Sequence, residues 1–93
     1  MGITDIRIFP VDEDRLRAHV SITIDNGFVI RDLKIIRGKD GCFVDMPHKV
    51  KNGERFEMAS TVTMEARAML EDEVFAEYAR LTGETLMRRK LKA

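Results

Sequence analysis

Two histidines, His19 and His48, a single cysteine, Cys42, and the acidic run Glu71-Asp72-Glu73 are the side chains of this 93-residue chain best suited to chemistry. A hydrolytic or group-transfer reaction would need a nucleophile beside a base, two carboxylates meeting in a pocket, or a metal. His19 falls on the polar phase of an alternating strand and His48 in a loop, with no His-Glu-x-x-His and no cysteine pair to complete a metal site. Cys42 opens a short apolar run with no histidine beside it and reads as a small buried hydrophobe rather than a lowered-pKa thiol. The three acids are consecutive, so on a helix they point around the axis instead of converging, and they read as a solvated face. Gly38, Gly41 and Gly53 have the spacing of turns, not of a phosphate loop or a dinucleotide fingerprint. The expectation is a protein without catalysis, cofactor, metal or small-molecule substrate, since no residues suggest a pocket of convergent polar groups.

Charge is more informative. The formal net charge is zero, yet the signs are sorted along the chain. Residues 31–55 hold Arg31, Lys34, Arg37, Lys39, Lys49, Lys51 and Arg55 against Asp32, Asp40, Asp45 and Glu54, and residues 86–93 hold Arg88, Arg89, Lys90 and Lys92 with no acid. Residues 65–84 are acidic, with only Arg67 and Arg80 among six carboxylates. Polyanion binding needs cations converging on one surface. Arg31, Lys34 and Arg37 on strands, with Lys49, Lys51 and Arg55 in an exposed loop, are the set from which several could share one; ordinary solubilising charge is the alternative, and paired stacking aromatics of the ribonucleoprotein kind are missing.

The elements that must position these residues follow from periodicity. Ile3, Ile6 and Ile8 begin a strand that Pro10 ends. Leu16, Ala18, Val20, Ile22 and Ile24 alternate with polar residues, a strand with one buried face. Asn26-Gly27 predicts a two-residue hairpin turn into a strand from Phe28 to Arg37, where the apolar phase slips from even to odd and predicts a bulge near Arg31-Asp32. A turn at residues 38–41 leads to a short strand, Cys42 to Met46, stopped by Pro47. Residues 48–55 read as an exposed loop around Asn52-Gly53, and residues 56–59 as a brief further strand. Ser60, Thr61 or Thr63 caps a helix on which Ala66, Leu70, Val74, Tyr78 and Leu81 recur at helical spacing, flanked by Met69 and Phe75, and Gly83 ends it. The fold class is therefore α+β, a small antiparallel β-meander packed against one long C-terminal helix, with a domain over residues 1–83 and a basic tail over 84–93. At 44% apolar and 34% charged residues the chain should fold. It has no apolar run long enough for a bilayer and no signal-peptide or myristoylation pattern, and its lone cysteine fits a reducing compartment, so the expected location is the cytoplasm without membrane contact.

Phe28-Val29-Ile30-Arg31-Asp32-Leu33-Lys34-Ile35-Ile36, followed by Gly41-Cys42-Phe43-Val44-Asp45-Met46-Pro47-His48-Lys49, resembles the sporulation stage V protein G family of bacteria. The likeness extends from Ile3-Thr4-Asp5-Ile6-Arg7 to Glu77-Tyr78 and Leu81, and Gly-x-Phe-Val-x-Met-Pro-x-Lys is its most specific string. This resemblance implies a non-enzymatic regulator of septation, sporulation or other gene expression that binds DNA or RNA as a homodimer joined through strands. It also implies contacts from the basic stretch after Met-Pro-x-Lys and from the start of the following helix, here Lys49, Lys51, Arg55 and Arg67. The chain departs from the family where Val50 replaces a second cation. The competing expectation is a protein-interaction module that uses the acidic helix, through Glu71, Asp72 and Glu77, as its contact face.

Overall fold

The computed structural model describes residues 2–90; Lys92, counted above in the basic tail, lies outside them. Four antiparallel strands, β1 (Ile3–Pro10), β2 (Leu16–Ile24), β3 (Phe28–Gly38) and β4 (Gly41–Asp45), pair in sequence order. Two short strands, β5 (His48–Lys51) and β6 (Glu54–Glu57), form a separate hairpin, and one helix, α1 (Met64–Thr82), follows. The α+β meander with one C-terminal helix is therefore as expected.

The core lies between the helix and one sheet face. Ile8, Ala18, Val20, Ile22, Leu33, Ile35, Cys42 and Val44 meet Leu70, Val74, Phe75 and Tyr78 there. The phase slip in β3 is a bulge: Val20 pairs with Leu33 and Ile22 with Ile30, so Arg31 and Asp32 together oppose Ser21, and Asp32 takes a left-handed φ of 66°. The extra residue keeps Ile30, Leu33 and Ile35 on the same buried face. A second irregularity was not anticipated. Leu16 pairs with Ile36 but Ala18 with Ile35, which leaves Arg17 as the extra residue and puts Leu16 on the face opposite Ala18. Arg17 instead reaches the helix side, where its guanidinium lies 3.7 Å from Glu84.

Three further expectations are corrected. The β2–β3 turn spans Asp25, Asn26 and Gly27, with the left-handed residues at Asp25 and Asn26. Asp25 accepts the Gly2 N–H and Thr4 Oγ1 accepts the Asn26 N–H, so the turn is pinned to the start of β1 one residue earlier than Asn-Gly chemistry alone dictates. Residues 48–55, expected as a loop, are most of the β5–β6 hairpin. Leu81 and Met69, expected on the apolar stripe, are about half exposed.

The helix ends are as the capping residues direct. Thr63 accepts the Ala66 N–H at 3.0 Å, and Gly83, at φ 77°, donates its N–H to the Ala79 carbonyl. Replacing Thr63→Ala is expected to cost about 1 kcal/mol of unfolding free energy, readable as a lowered urea midpoint at unchanged slope.

Beyond Gly83 the chain turns back over the sheet edge. The Tyr78 hydroxyl donates to Glu84, and burial with that carboxylate pushes the phenol above its usual range. Leu86 packs on the core. The Cys42 N–H donates to the Met87 carbonyl at 2.7 Å and the Arg89 N–H to the Cys42 carbonyl at 2.8 Å, so this segment runs parallel to β4 and covers its outer edge. Burial raises the Cys42 thiol, keeping it protonated beneath this strap.

Candidate nucleic-acid interface

The register of β5 and β6 sorts the candidate cations onto two faces. His48, Val50, Arg55 and Glu57 share one side, and Lys49, Lys51, Glu54 and Phe56 share the other. Lys49 and Lys51 thus project away from Arg55, and the expectation that all three act from one surface is corrected. Arg55 is engaged by carboxylates, donating to Asp45 at 2.9 Å and lying 3.4 Å from Glu57. Lys49 and Lys51 are exposed, with the half-exposed Phe56 ring on their side of the hairpin. Arg31 is exposed at the β3 bulge, and Lys34 leaves β3 opposite Asp45, on the sheet face away from the helix. Among the described residues, Arg31, Lys34, Lys49 and Lys51 make no ion pair with a carboxylate.

Arg67 has a different role from the one expected. Its side chain is only 16% exposed, its Nε lies 3.3 Å from Glu71 Oε2, and its guanidinium donates to the Val44 carbonyl. Glu71 is fully buried, accepts the Val44 N–H at 2.9 Å, and is approached at 3.9 Å by Arg88 from the C-terminal segment. Arg67 is therefore a fastener between the helix and β4. The reading of Glu71-Asp72-Glu73 as a solvated face is corrected at Glu71, which belongs to the buried stripe with Leu70, Val74 and Phe75, whereas Asp72 is exposed as expected. Asp72 pairs with Arg88 at 2.5 Å. Glu77 pairs with Arg80, whose guanidinium holds that carboxyl below its usual range. Much of the acidic character of the helix is thus neutralised within the molecule.

The strands and the C-terminal segment enclose a groove of about 590 Å³. Its floor includes Ile36 and Phe43, which are register partners on the sheet face opposite the helix. Arg15, Arg55, Arg67 and Arg89 line it, and Ser60 and Thr61 add hydroxyls. His48 also lines it, with Nδ1 3.0 Å from the Met46 carbonyl. The guanidinium of Arg89 lies 4.3 Å over the centre of the Phe43 ring. Nothing in the sequence pattern marks this concavity. Arg15 sits in a polar connection, and the place of Arg89 depends on the C-terminal segment folding back beside β4. Among the described residues, no three His, Cys, Asp or Glu side chains gather where they could hold a metal.

Comparison with known proteins agrees with the resemblance read from β3 and β4. The SpoVG family profile matches residues 1–80, the sheet, the hairpin and most of the helix. The chain belongs to the SpoVG family. A relative from Bdellovibrio bacteriovorus, named "Putative septation protein SpoVG", is 50% identical over 91 residues, covering 94% of this chain and 84% of its own. A family member of the same name from Myxococcus xanthus is 47% identical over 81 residues, covering 86% and 82% of the two chains. One from Clostridium botulinum is 38% identical over 86 residues, covering 90% and 94%. Arg88 and Arg89 lie beyond the residues matched by the family profile.

Proposed function

We propose that this protein is a cytoplasmic, non-enzymatic nucleic-acid-binding regulator of septation, sporulation or related gene expression, acting as a homodimer. The role in septation rests on the names of its relatives. The binding reading rests on one observation, a set of cations that no carboxylate engages. Arg31, Lys34, Lys49 and Lys51 are outside the internal ion pairs of the described residues, while Glu71, Asp72 and Glu77 are within them. In a sequence with no net charge, these cations remain available to phosphates. Phe56, directly opposite Lys49 in the hairpin, adds a ring on which an unpaired base can stack.

A homodimer is supported by the apolar side chains left outside the core at the bulge end of the sheet. Phe28 and Met58 are 66% and 63% exposed, and Met58 shares a groove with Ile30. A second copy would cover them and double the number of cations.

Fluorescence anisotropy with labelled single-stranded RNA and duplex DNA over a salt series tests this reading. Arg31, Lys34, Lys49 and Lys51 from two protomers neutralise about eight phosphates, which gives a slope of log affinity against log salt near roughly −7 on duplex DNA. The Lys49→Ala/Lys51→Ala variant is expected to fall to a slope of roughly −4. Sedimentation at the same concentrations should report a dimer. A flat salt response, or a variant indistinguishable from the parent, would remove the support for polyanion binding.

A further inference from the structure

The arginine groove is more than a stretch of basic surface. Its lining carries four guanidinium groups against the two carboxylates of Asp45 and Glu57. Arg55 is already engaged with both of those carboxylates, and Arg67 with Glu71. Arg15 and Arg89 are the two that, among the described residues, have no carboxylate partner. Arg89 is also held in a particular attitude. Its guanidinium carbon lies 4.3 Å over the centre of the Phe43 ring, which holds the group against the groove floor while no carboxylate of the described residues engages its N–H donors. Its backbone is fixed as well, by the bond from its N–H to the Cys42 carbonyl.

From these features we infer that the groove binds a terminal phosphate monoester, with Arg15 and Arg89 as its principal ligands and the hydroxyls of Ser60 and Thr61 at its rim. Two unneutralised guanidinium groups match the charge of a monoester, about −1.5 to −2 at neutral pH, better than the single charge of an internal phosphodiester. The apolar floor of Ile36 and Phe43 gives the attached sugar and base a surface to lie against. A groove of this size accommodates a nucleotide. The shared chemistry is a nucleoside 5′-phosphate, supplied either by a free nucleotide or by the phosphorylated end of a strand. This inference deepens the nucleic-acid reading, yet it uses a different surface from Lys49 and Lys51.

The test compares one 3′-labelled single-stranded RNA bearing either a 5′-phosphate or a 5′-hydroxyl, beside an NMR titration with a nucleoside 5′-monophosphate observing the arginine Nε–H signals. The 5′-phosphorylated strand is expected to bind about tenfold tighter or more, the effect of one charge-assisted hydrogen-bonded pair. Arg89→Gln and Arg15→Gln should each abolish that preference while retaining the salt-dependent binding common to both strands, with unchanged melting temperatures as the check on folding. Arginine shifts with the free nucleotide but no binding of either strand would sustain this site and overturn the polymer reading. Equal affinity for the two strands with no shift on adding the nucleotide would overturn this inference and leave the polymer reading standing.

Discussion

Glu71→Ala is expected to remove about 3–5 kcal/mol of folding free energy, the loss that follows when one member of a buried ion pair is deleted and the other stays behind. The carboxylate is fully buried and holds both the Val44 N–H and the Arg67 guanidinium. Alanine leaves that amide hydrogen without its acceptor and leaves a cation, largely withdrawn from water, with only the Val44 carbonyl. Set against a total stability of about 5–15 kcal/mol for a domain, this is a large part of what keeps the chain folded. Urea denaturation followed by circular dichroism measures it. Glu71→Gln, which retains an oxygen for the Val44 N–H, should lose less. A loss below about 1 kcal/mol for Glu71→Ala would mean that the pair is not structural. Arg67→Ala should likewise act on stability, and a binding defect in a fully folded Arg67→Ala protein would contradict the role given to it here.

Gly41→Ala is expected to release the C-terminal segment from β4. Gly41 has a φ of 122°, where a side chain is strained, and a Cβ there would stand 2.8 Å from the Arg89 nitrogen and 2.9 Å from the Arg88 carbonyl carbon. The backbone strain alone costs about 1–3 kcal/mol. The contact adds to it unless the segment moves away. Detachment takes Arg88 from Asp72 and Glu71 and lifts Arg89 off Phe43. Limited trypsin digestion reads the change, since Arg88, Arg89 and Lys90 become accessible together, and cleavage there should be many times faster than in the parent. The preference for a 5′-phosphate should vanish in the same variant. Unchanged cleavage would show that the segment tolerates the extra carbon.

The parts of the fold that could be read from the sequence are those where burial imposes a period. The slip in β3 from Ile30 to Leu33 was legible as a bulge because both flanks had to face the same core. Gly83 was legible, and Thr63 was legible as one of three candidate caps, because the chemistry of helix ends is local. The β5–β6 hairpin was not. Seven of its eight strand residues are exposed, so no apolar alternation marks it and its composition matches a loop. Arg17 was hidden for a related reason: a single bulged residue changes face without altering the residue types around it. Glu71 was misread because its type outweighed its place. It follows Arg67 by four residues within the stripe formed by Leu70, Val74 and Tyr78, and that spacing was the available signal of a buried pair. The groove is least legible, since Arg15, Arg55 and Arg89 meet only through the return of the C-terminal segment beside β4.

The separateness of the hairpin has a consequence for how Lys49 and Lys51 behave over time. It shares no ladder with the four-stranded sheet; Arg55 reaches Asp45 at the end of β4, and the bond from the Met58 N–H to the Pro47 carbonyl only closes the hairpin's own base. A two-stranded ribbon with so little buried surface is marginal by itself. Its amide hydrogens should therefore exchange through local opening, at free energies well below those of β2 and β3. The two lysines then ride on a platform that can open and reclose while the core stays shut, adjusting their spacing to irregularly placed phosphates, and slowed exchange across residues 48–57 would record their capture.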